Sequence, residues 1–189
     1  MNVYDFDGTI YKRDCSVEFY KYVIKKKPIV FFRCFFKQIK GILLYKLGKV
    51  PKEKMKERYF CFLKLINAED FVEKFVNQEL RRNHIAAWYK GQKKENDLII
   101  SASPYFLVKK FAERLEIDNV IASNVDMFSG SFQGKNCYGV EKIIRFRKEF
   151  KNVKIDCFYS DSKSDIPMAK QAEKAFLVQG NKIKEWKYL

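Results

Sequence analysis

The sequence predicts an α/β fold, a Rossmann-like parallel sheet with helices on both faces, with an all-helical segment inserted after the first strand. Beyond residue 90, short apolar runs alternate with stretches of helical periodicity. Strands that alternate with helices in this way form parallel sheets covered on both faces. Residues 12–90, by contrast, have hardly any strand signal. We therefore assign residues 1–11 and 91–189 to an α/β core and residues 12–90 to a helical cap.

Size and charge limit the possible functions. The 189 residues are 47% hydrophobic and 16% aromatic, which is typical of one globular core with a smaller insert. Lysine and arginine number 38 against 23 acidic residues, a net charge of +15. This excess indicates a polyanionic partner, an anionic membrane surface or a phosphorylated substrate, and does not choose among them.

The cysteines predict a reducing environment. They are odd in number, widely spaced and never in a CxxC pair: Cys15, Cys34, Cys61, Cys137 and Cys157. Because the chain also opens directly on a strand without a signal-peptide pattern, we expect free thiols and a cytoplasmic protein. A zinc site is not expected, since His84 is the only histidine and lies in a polar run where we expect it to be solvated.

Within the cap, helices are predicted from periodicity and from their ends. Val17, Tyr20 and Val23 recur at helical spacing, and Pro28 suits the first turn of a second helix. After a loop at residues 48–51, residues 52–65 resume the helical period. Asn67 is a candidate N-cap for a further helix. Another helical piece precedes residue 90, so the cap should contain four or five helices.

Residues 29–47 form the most apolar stretch, and they allow two interpretations. Arg33, Lys37 and Lys40 lie at helical spacing and make a transmembrane span improbable, because charges in the middle of a span are costly. The first interpretation is a helix buried in a small bundle with its basic stripe in water or over an acidic ligand. The second is a helix on a membrane surface, peripheral at the inner membrane, with phenylalanines in the interface: Phe31, Phe32, Phe35 and Phe36.

The core elements follow in order. Strands are predicted at residues 97–100, 120–123, 153–159 and 175–178. A helix is predicted in each of the three intervals between them, the second at residues 140–150. Residues 127–133 alternate around Ser129-Gly130 and predict a hairpin. In parallel sheets, ligands bind at the carboxyl ends of the strands, so the residues that follow each strand are candidates for a site.

Four carboxylates follow such strands. Asp5 and Asp7 follow residues 3–4, and Asp161 and Asp165 follow residues 153–159. Four negative charges at one edge require a neutralising cation. Mg²⁺ suits them because it takes oxygen ligands and keeps several waters. Phosphate oxygens could complete its shell.

Donors to such a phosphate also follow the strands. Thr9, Ser101 and the backbone amides around Gly8 could donate to its oxygens. A lysine should balance the remaining charge. Lys142, at the start of a helix, is the best placed, and Lys135 is the second choice.

The chemistry these residues suit is phosphoryl transfer. It requires positioning and charge neutralisation, and a carboxylate can accept the phosphoryl group. We assign Asp5 as the nucleophile and Asp7 as the acid that protonates the leaving oxygen and then takes a proton from water.

These residues resemble the four ordered motifs of the haloacid dehalogenase superfamily of phosphatases: Asp5-Phe6-Asp7-Gly8-Thr9, Ser101, Lys142 and Asp161-Ser162-Lys163-Ser164-Asp165. The resemblance covers the whole chain, and the position of the cap is similar to that in the phosphoserine phosphatase-like branch. Within that branch the chain resembles bacterial phosphatases that include a phosphatidylglycerophosphate phosphatase. The resemblance implies Mg²⁺ held by Asp5, the Asp7 carbonyl and Asp161, with support from Asp165. It also implies phosphate contacts from Thr9, Ser101 and Lys142.

Two features of the sequence bear on the choice of substrate. Ser101-Ala102-Ser103 lacks the double glycine usual after the motif serine in phosphoserine phosphatases, which disfavours a phosphoserine-type small metabolite. The basic, aromatic helix at 29–47 favours a lipid or other large phosphate ester. In the cap, Glu18, Arg33 and Arg58 could reach the substrate, or could be ordinary surface and bundle residues.

A different class of function also fits the charge. The protein could bind nucleic acid or an anionic surface without catalysis. The sequence contains no recognisable nucleic-acid module, and its lysines are spread over the whole chain, so nucleic acid is not the partner we expect.

Overall fold

The computed structural model describes residues 1–186 and confirms the α/β fold. Within these residues six strands form one sheet in the order β3-β2-β1-β4-β5-β6. The first five strands run parallel, and β6 pairs antiparallel with β5. The strands are β1 (Asn2–Tyr4), β2 (Leu98–Pro104), β3 (Asn119–Ser123), β4 (Ile155–Ser160), β5 (Ala172–Gln179) and β6 (Lys182–Glu185).

The described chain has five helices between β1 and β2, in the interval predicted for the cap. They are α1 (Cys15–Lys26), α2 (Ile29–Lys46), α3 (Lys52–Tyr59), α4 (Ala68–Arg81) and α5 (Ala87–Gln92), with a 3₁₀ segment at Phe60–Leu65. The later helices are α6 (Tyr105–Arg114), α7 (Val140–Glu149) and α8 (Ile166–Ala169), with a 3₁₀ turn at Lys163–Asp165. Asn67 caps α4 as predicted, since its Oδ1 accepts the Asp70 amide at 3.3 Å.

One face of the sheet carries a ladder of aromatic rings. Tyr4, Tyr159 and Phe176, on three adjacent strands, stack with successive centroids 4.8 Å apart. Trp88 and Tyr89 from α5 pack against this ladder. Cross-strand aromatic pairs of this kind stabilise a sheet face, and α5 covers them.

The inserted helices share this hydrophobic core. Phe75 of α4 lies between Phe19 of α1 and Phe111 of α6, with ring centroids 5.4 and 6.0 Å away. The opposite face of the sheet packs against α7 and α8, which contribute Phe146 and Met168. The predicted arrangement of helices on both faces is therefore confirmed.

Two predictions near the carboxyl-terminal part of the core were wrong in detail. The sequence prediction ended at a last strand, but β6 follows it. This edge strand is short, charged and largely exposed, so it lacks the apolar pattern used to find strands. The hairpin predicted at residues 127–133 is reduced to a single antiparallel bridge between Val125 and Phe132. Its turn is held by the Asp126 carboxylate, which accepts the Ser129 amide.

His84 is not solvated as predicted. Its side chain is largely buried, and Nδ1 lies 2.5 Å from Glu79 Oε2. The same oxygen accepts the Tyr11 hydroxyl at 2.6 Å. The polar sequence around His84 hid this contact, because Glu79 and Tyr11 are brought to it by the packing of α4 against the loop after β1.

The bundle interpretation of α2 holds for one face of the helix only, and its basic stripe is exposed. The helix buries one narrow face, formed by Val30, Cys34, Gln38 and Gly41. Phe32 and Phe36 on the other side are 69% and 81% exposed. Within residues 1–186 no helix has the length and apolarity needed to span a bilayer. All five cysteines fall within the described residues and are free thiols.

Candidate active site

A cavity of about 640 Å³ lies at the carboxyl ends of β1, β2 and β4, beneath α1 and α3. The core contributes Asp5, Asp7, Gly8, Ala102, Ser103, Tyr138, Lys142, Asp161, Ser162, Ser164 and Asp165 to its lining. The insert contributes Lys12, Arg13, Asp14, Ser16, Val17, Lys52, Met55, Lys56, Tyr59 and Phe60. The four predicted carboxylates therefore meet in one place, as their positions after the strands indicated.

Asp5 is set by the sheet and by a tight turn. Its amide donates to the Tyr159 carbonyl at 2.8 Å and so continues the pairing of β1 with β4. Gly8 then has φ +73°, in the left-handed region. A Cβ at this position would also overlap the Asp161 carboxylate. Glycine is needed here for both the turn and the close approach of Asp161.

Lys142 is the centre of the charge arrangement. It is buried in α7, and its Nζ lies 2.8 Å from Asp5 Oδ1 and 2.7 Å from Asp165 Oδ2. Burial by itself would lower the pKa of Lys142, but the two carboxylates outweigh it and raise the pKa above its usual range. Burial raises the pKa of Asp5, and the ammonium of Lys142 opposes that rise. Lys135, the second choice, is exposed and lies outside this cavity.

Asp7 is held by both of its oxygens. Oδ1 accepts the Cys15 amide at 2.7 Å, at the start of α1, and Oδ2 accepts the Ser103 hydroxyl at 2.5 Å. Burial and the nearby charge of Asp14 raise the pKa of Asp7 to about 6, although these hydrogen bonds oppose the rise. A carboxyl group with this pKa can gain or lose a proton near neutral pH.

Ser103 was missed in the sequence analysis. It lies two residues after Ser101, so both side chains project from the same face of β2. Ser101 was chosen because it is the first serine after the apolar run. The alternation of side chains along β2 was the signal that Ser103 would also reach the site.

Thr9 and Ser101 are placed beside the cavity but do not line it. Both side chains are buried. Thr9 Oγ1 accepts the Asp161 amide at 3.1 Å, and Ser101 Oγ accepts the Ser103 amide at 3.0 Å. In this geometry the two hydroxyls hold neighbouring residues in position, and their predicted phosphate contacts stay a prediction.

The insert contributes cationic groups that the sequence analysis did not choose. Lys56 Nζ donates to the Ala102 carbonyl and to Asn136 Oδ1, both at 2.8 Å. Burial and the neighbouring Lys52 lower the pKa of Lys56 to about 8. Lys52, in turn, places its Nζ 3.6 Å from the centroid of the Tyr138 ring. Lys52 and Lys56 are four residues apart and so lie on one face of α3, and this spacing was the available signal in the sequence.

The cap residues named from the sequence lie elsewhere. Arg33 is exposed on α2, and Arg58 packs against Gly41. Glu18 is outside the lining, but it pairs at 3.2 Å with Arg13, which lines the cavity. None of the three therefore lines the cavity, because α2 and the far side of α3 face away from it.

The oxygen atoms of the cavity are the kind of ligand that magnesium takes. Among residues 1–186, no group of three or more His, Cys, Asp and Glu side chains has the arrangement of a metal centre. Lys142 pairs with one carboxylate oxygen of Asp5 and one of Asp165. The other oxygen of Asp165, Oδ1, is buried without a hydrogen-bond partner. Asp161 lies against Gly8 at the cavity. These donors are all oxygens, and Mg²⁺ commonly uses one or two carboxylates with several waters. The oxygens that line the cavity therefore suit this ion, and its assignment to Asp5, the Asp7 carbonyl and Asp161, with Asp165 in support, stays a prediction.

A known protein family matches most of this chain. Residues 3–170 match the family described as haloacid dehalogenase-like hydrolase. The chain belongs to this family. The family's match covers both the strand ends that carry the carboxylates and the helices inserted between them.

The individual proteins similar to this chain match it over only part of its length or at low sequence identity. Protein CicA of Caulobacter vibrioides is 31% identical over 109 residues, which are 54% of this chain and 49% of CicA, so the match spans about half of CicA. A Bordetella pertussis structure of unknown function superposes with a TM-score of 0.72 at 15% identity, over 93% of this chain and 87% of that one. A phosphoserine phosphohydrolase-like protein from Francisella tularensis superposes with a TM-score of 0.54 at 18% identity, over 93% of this chain and 86% of that one. Both structures show that the fold predicted from the resemblance is correct.

Proposed function

We propose that this protein is a Mg²⁺-dependent phosphatase that hydrolyses a phosphate monoester through an aspartyl-phosphate intermediate. The observation that carries the proposal is one cavity that holds Asp5 against a buried lysine and Asp7 between two hydrogen-bond donors. The two carboxylates thus have different surroundings. Such a difference is what separates a nucleophile from a general acid.

The first step is transfer of the phosphoryl group to Asp5. A carboxylate oxygen of Asp5 attacks phosphorus, and the bond between phosphorus and the ester oxygen breaks. Asp7 gives its proton to the leaving oxygen, which departs as an alcohol. Lys142 favours the ionised form of Asp5 that attacks, because its ammonium lies 2.8 Å away.

The second step releases phosphate. Asp7, now a carboxylate, takes a proton from a water molecule, whose oxygen attacks phosphorus. The bond between phosphorus and Asp5 breaks, which returns Asp5 to its carboxylate form and gives inorganic phosphate. A bound Mg²⁺ would supply charge neutralisation for the phosphoryl oxygens.

The cavity supports a substrate with anionic or apolar groups beyond the phosphate. Lys12, Arg13, Lys52 and Lys56 supply positive charge, and Met55 and Phe60 supply apolar surface. This lining favours a lipid or other large phosphate ester over phosphoserine. Phosphoserine is the alternative substrate against which the larger esters are compared.

The test is phosphate release from a panel of esters, with and without Mg²⁺. The panel contains p-nitrophenyl phosphate, phosphoserine, a nucleotide, a sugar phosphate and phosphatidylglycerophosphate in micelles. Asp5→Asn keeps the shape of the side chain and should abolish release. The matched control is Asp118→Asn, an exposed aspartate, which should retain full activity.

Each outcome has a clear meaning. Release that requires Mg²⁺ and disappears only in Asp5→Asn supports the mechanism, and the best ester identifies the substrate class. Release that persists in Asp5→Asn would exclude the aspartyl-phosphate. No release, together with nucleic-acid binding that falls steeply with salt, would favour the non-catalytic alternative.

A further inference from the structure

The outer side of α2 presents a continuous apolar surface. Its residues recur every three or four positions and so form one stripe: Ile29, Phe32, Phe36, Ile39, Leu43 and Leu47. Phe32 is 69% exposed, Phe36 81% and Leu47 67%. We call these six residues the outer face of α2. A stripe of this size without a cover marks an interaction surface.

The opposite side of α2 is firmly attached to the molecule. Gln38 is buried there, and its Nε2 donates to the Tyr59 carbonyl at 2.9 Å. Its Oε1 accepts the Tyr20 hydroxyl at 2.8 Å. Gly41 lies close against Arg58 of α3. Because this side is bound by both hydrogen bonds and packing, the outer face is presented in one orientation.

The charged residues in the sequence around α2 are all basic. No acidic residue occurs between Glu18 and Glu53. The ten basic residues in this interval are Lys21, Lys25, Lys26, Lys27, Arg33, Lys37, Lys40, Lys46, Lys49 and Lys52. Arg33, Lys37 and Lys40 are exposed and flank the apolar stripe. The partner of this surface must therefore be apolar where it meets the stripe and anionic beside it.

This combination distinguishes the possible partners. A second copy of the chain, joined through the same face by a two-fold axis, would bring like charges together. A nucleic acid offers negative charge but no apolar surface to cover the phenylalanines. An anionic bilayer offers both, since phosphates lie above the acyl chains.

We propose that the outer face of α2 docks on an anionic lipid surface, with the helix in the plane of the interface. The phenylalanines and leucines enter the acyl boundary, and the flanking basic residues contact lipid phosphates. This inference is independent of the phosphatase chemistry, because it concerns a surface that shares no residue with the lining of the active-site cavity.

The experiment measures sedimentation of the protein with vesicles of phosphatidylcholine alone and of an equal mixture with phosphatidylglycerol. Binding is expected to the mixture, to be weak with phosphatidylcholine alone and to fall as salt is added. Phe32→Gln with Phe36→Gln should weaken binding by roughly 100-fold through lost apolar burial. Arg33→Gln, Lys37→Gln and Lys40→Gln together should weaken it by roughly 100-fold through lost charge.

Matched controls separate this surface from general stickiness. Phe128→Gln removes an equally exposed phenylalanine from the loop after β3. Lys151→Gln, Lys154→Gln and Lys170→Gln together make the same change in net charge from exposed positions elsewhere. Both controls should bind as well as the unmodified protein. All these variants should unfold at the same temperature, because the changed side chains are exposed.

Three outcomes would overturn the proposal. One is no sedimentation with the mixed vesicles. Another is equal loss of binding in the charge control, which would show a diffuse effect of net charge. The third is a dimer in analytical ultracentrifugation that Phe32→Gln with Phe36→Gln abolishes, which would assign the face to self-association. Vesicle binding without phosphatase activity would leave this inference standing and count against the proposed function alone.

Discussion

At the scale of single residues, the site depends on what surrounds two carboxylates that are separated by one phenylalanine. Asp5 is paired with a buried ammonium, whereas Asp7 is held by a serine hydroxyl and a helix-terminal amide. These surroundings come from α7, β2 and α1. The same amino acid therefore has two different chemical environments, because different elements supply its neighbours.

Ser103 provides a test of the role of Asp7. Ser103→Ala removes the hydroxyl that donates to Asp7 Oδ2 at 2.5 Å, so Asp7 should be less well positioned to protonate the leaving oxygen. We expect kcat/KM for an alkyl phosphate to fall about tenfold or more. For p-nitrophenyl phosphate the loss should be smaller, because its leaving group departs without protonation. Steady-state kinetics on both esters measures the difference.

The control for this prediction is Ser131→Ala, an exposed serine outside the cavity, which should not alter either rate. Equal losses of kcat/KM on the two esters in Ser103→Ala would contradict the assignment of Asp7 as the acid.

At the scale of elements, α3 joins the insert to the core. Glu53 and Glu57 accept the backbone amides of Asn136 and Phe132, at 2.9 and 3.1 Å. Lys56, between them on the same face, donates to Asn136 Oδ1. The Asn136 amide lowers the pKa of Glu53, so this carboxylate is ionised when it accepts. Through these contacts α3 places Lys52 and Lys56 at the cavity.

Removing this attachment should both destabilise the protein and weaken substrate binding. Glu53→Ala with Glu57→Ala should lower the free energy of unfolding by about 1–3 kcal/mol for each lost acceptor. KM should rise, because Lys52 and Lys56 are less well held. Urea unfolding and kinetics measure the two effects. Glu69→Ala, an exposed glutamate of α4, is the control. Unchanged stability in the double variant would show that these contacts are not formed.

A second contact between the insert and the core predicts that the free energy of unfolding depends on pH. Glu79 of α4 is buried, and hydrogen bonds from Tyr11 and His84 hold its pKa below the usual value despite its burial. A carboxylate with a lowered folded-state pKa stabilises the fold above its unfolded pKa, about 4.3, and this contribution is lost as pH falls through the folded pKa.

Glu79→Gln tests this sign. At neutral pH the variant should have a lower free energy of unfolding than the unmodified protein. The gap should shrink as pH falls below about 4, because the native carboxylate is then protonated too. Urea unfolding over a pH series measures the gap, with Glu69→Gln as the control. A gap that stays constant with pH would contradict the ionised role of Glu79.

At the scale of the whole molecule, one hydrophobic cluster extends from the sheet through α6 into the inserted helices. Phe75 is buried and packs against aromatic rings from α1 and α6. A cluster continuous across the insert and the core should couple their unfolding. We therefore expect a single cooperative transition.

Phe75→Ala tests this coupling. It should lower the free energy of unfolding by about 3–5 kcal/mol and shift the helical circular dichroism and the tryptophan fluorescence together. Phe128→Ala, at an exposed position, should shift neither signal. Separate transitions for helix content and for fluorescence would show that the inserted helices unfold as an independent domain.

Much of the site could be predicted from local patterns. Asp5, Asp7, Asp161 and Asp165 follow strands, and parallel strands bring their ends together. Lys142 follows a turn and lies in the first turn of α7, where it reaches Asp5. Ser103 could have been chosen as well, because it lies two residues after Ser101 on β2. Spacing also puts Lys52 and Lys56 on one face of α3, but whether that face meets the cavity depends on how α3 packs over β2, and no local pattern records that packing.

By itself, the sequence determined the order of helices and strands as far as β5, the insertion after β1 and the set of acids at the strand ends, because each follows from periodicity and chain connectivity. Only the tertiary structure decided which side chains meet. It placed His84 against Glu79, Lys56 against Asn136 and the outer face of α2 in the open. The physical reason is that burial and pairing depend on neighbours distant in the chain. An apolar helix has the same sequence pattern whether another element covers it or not.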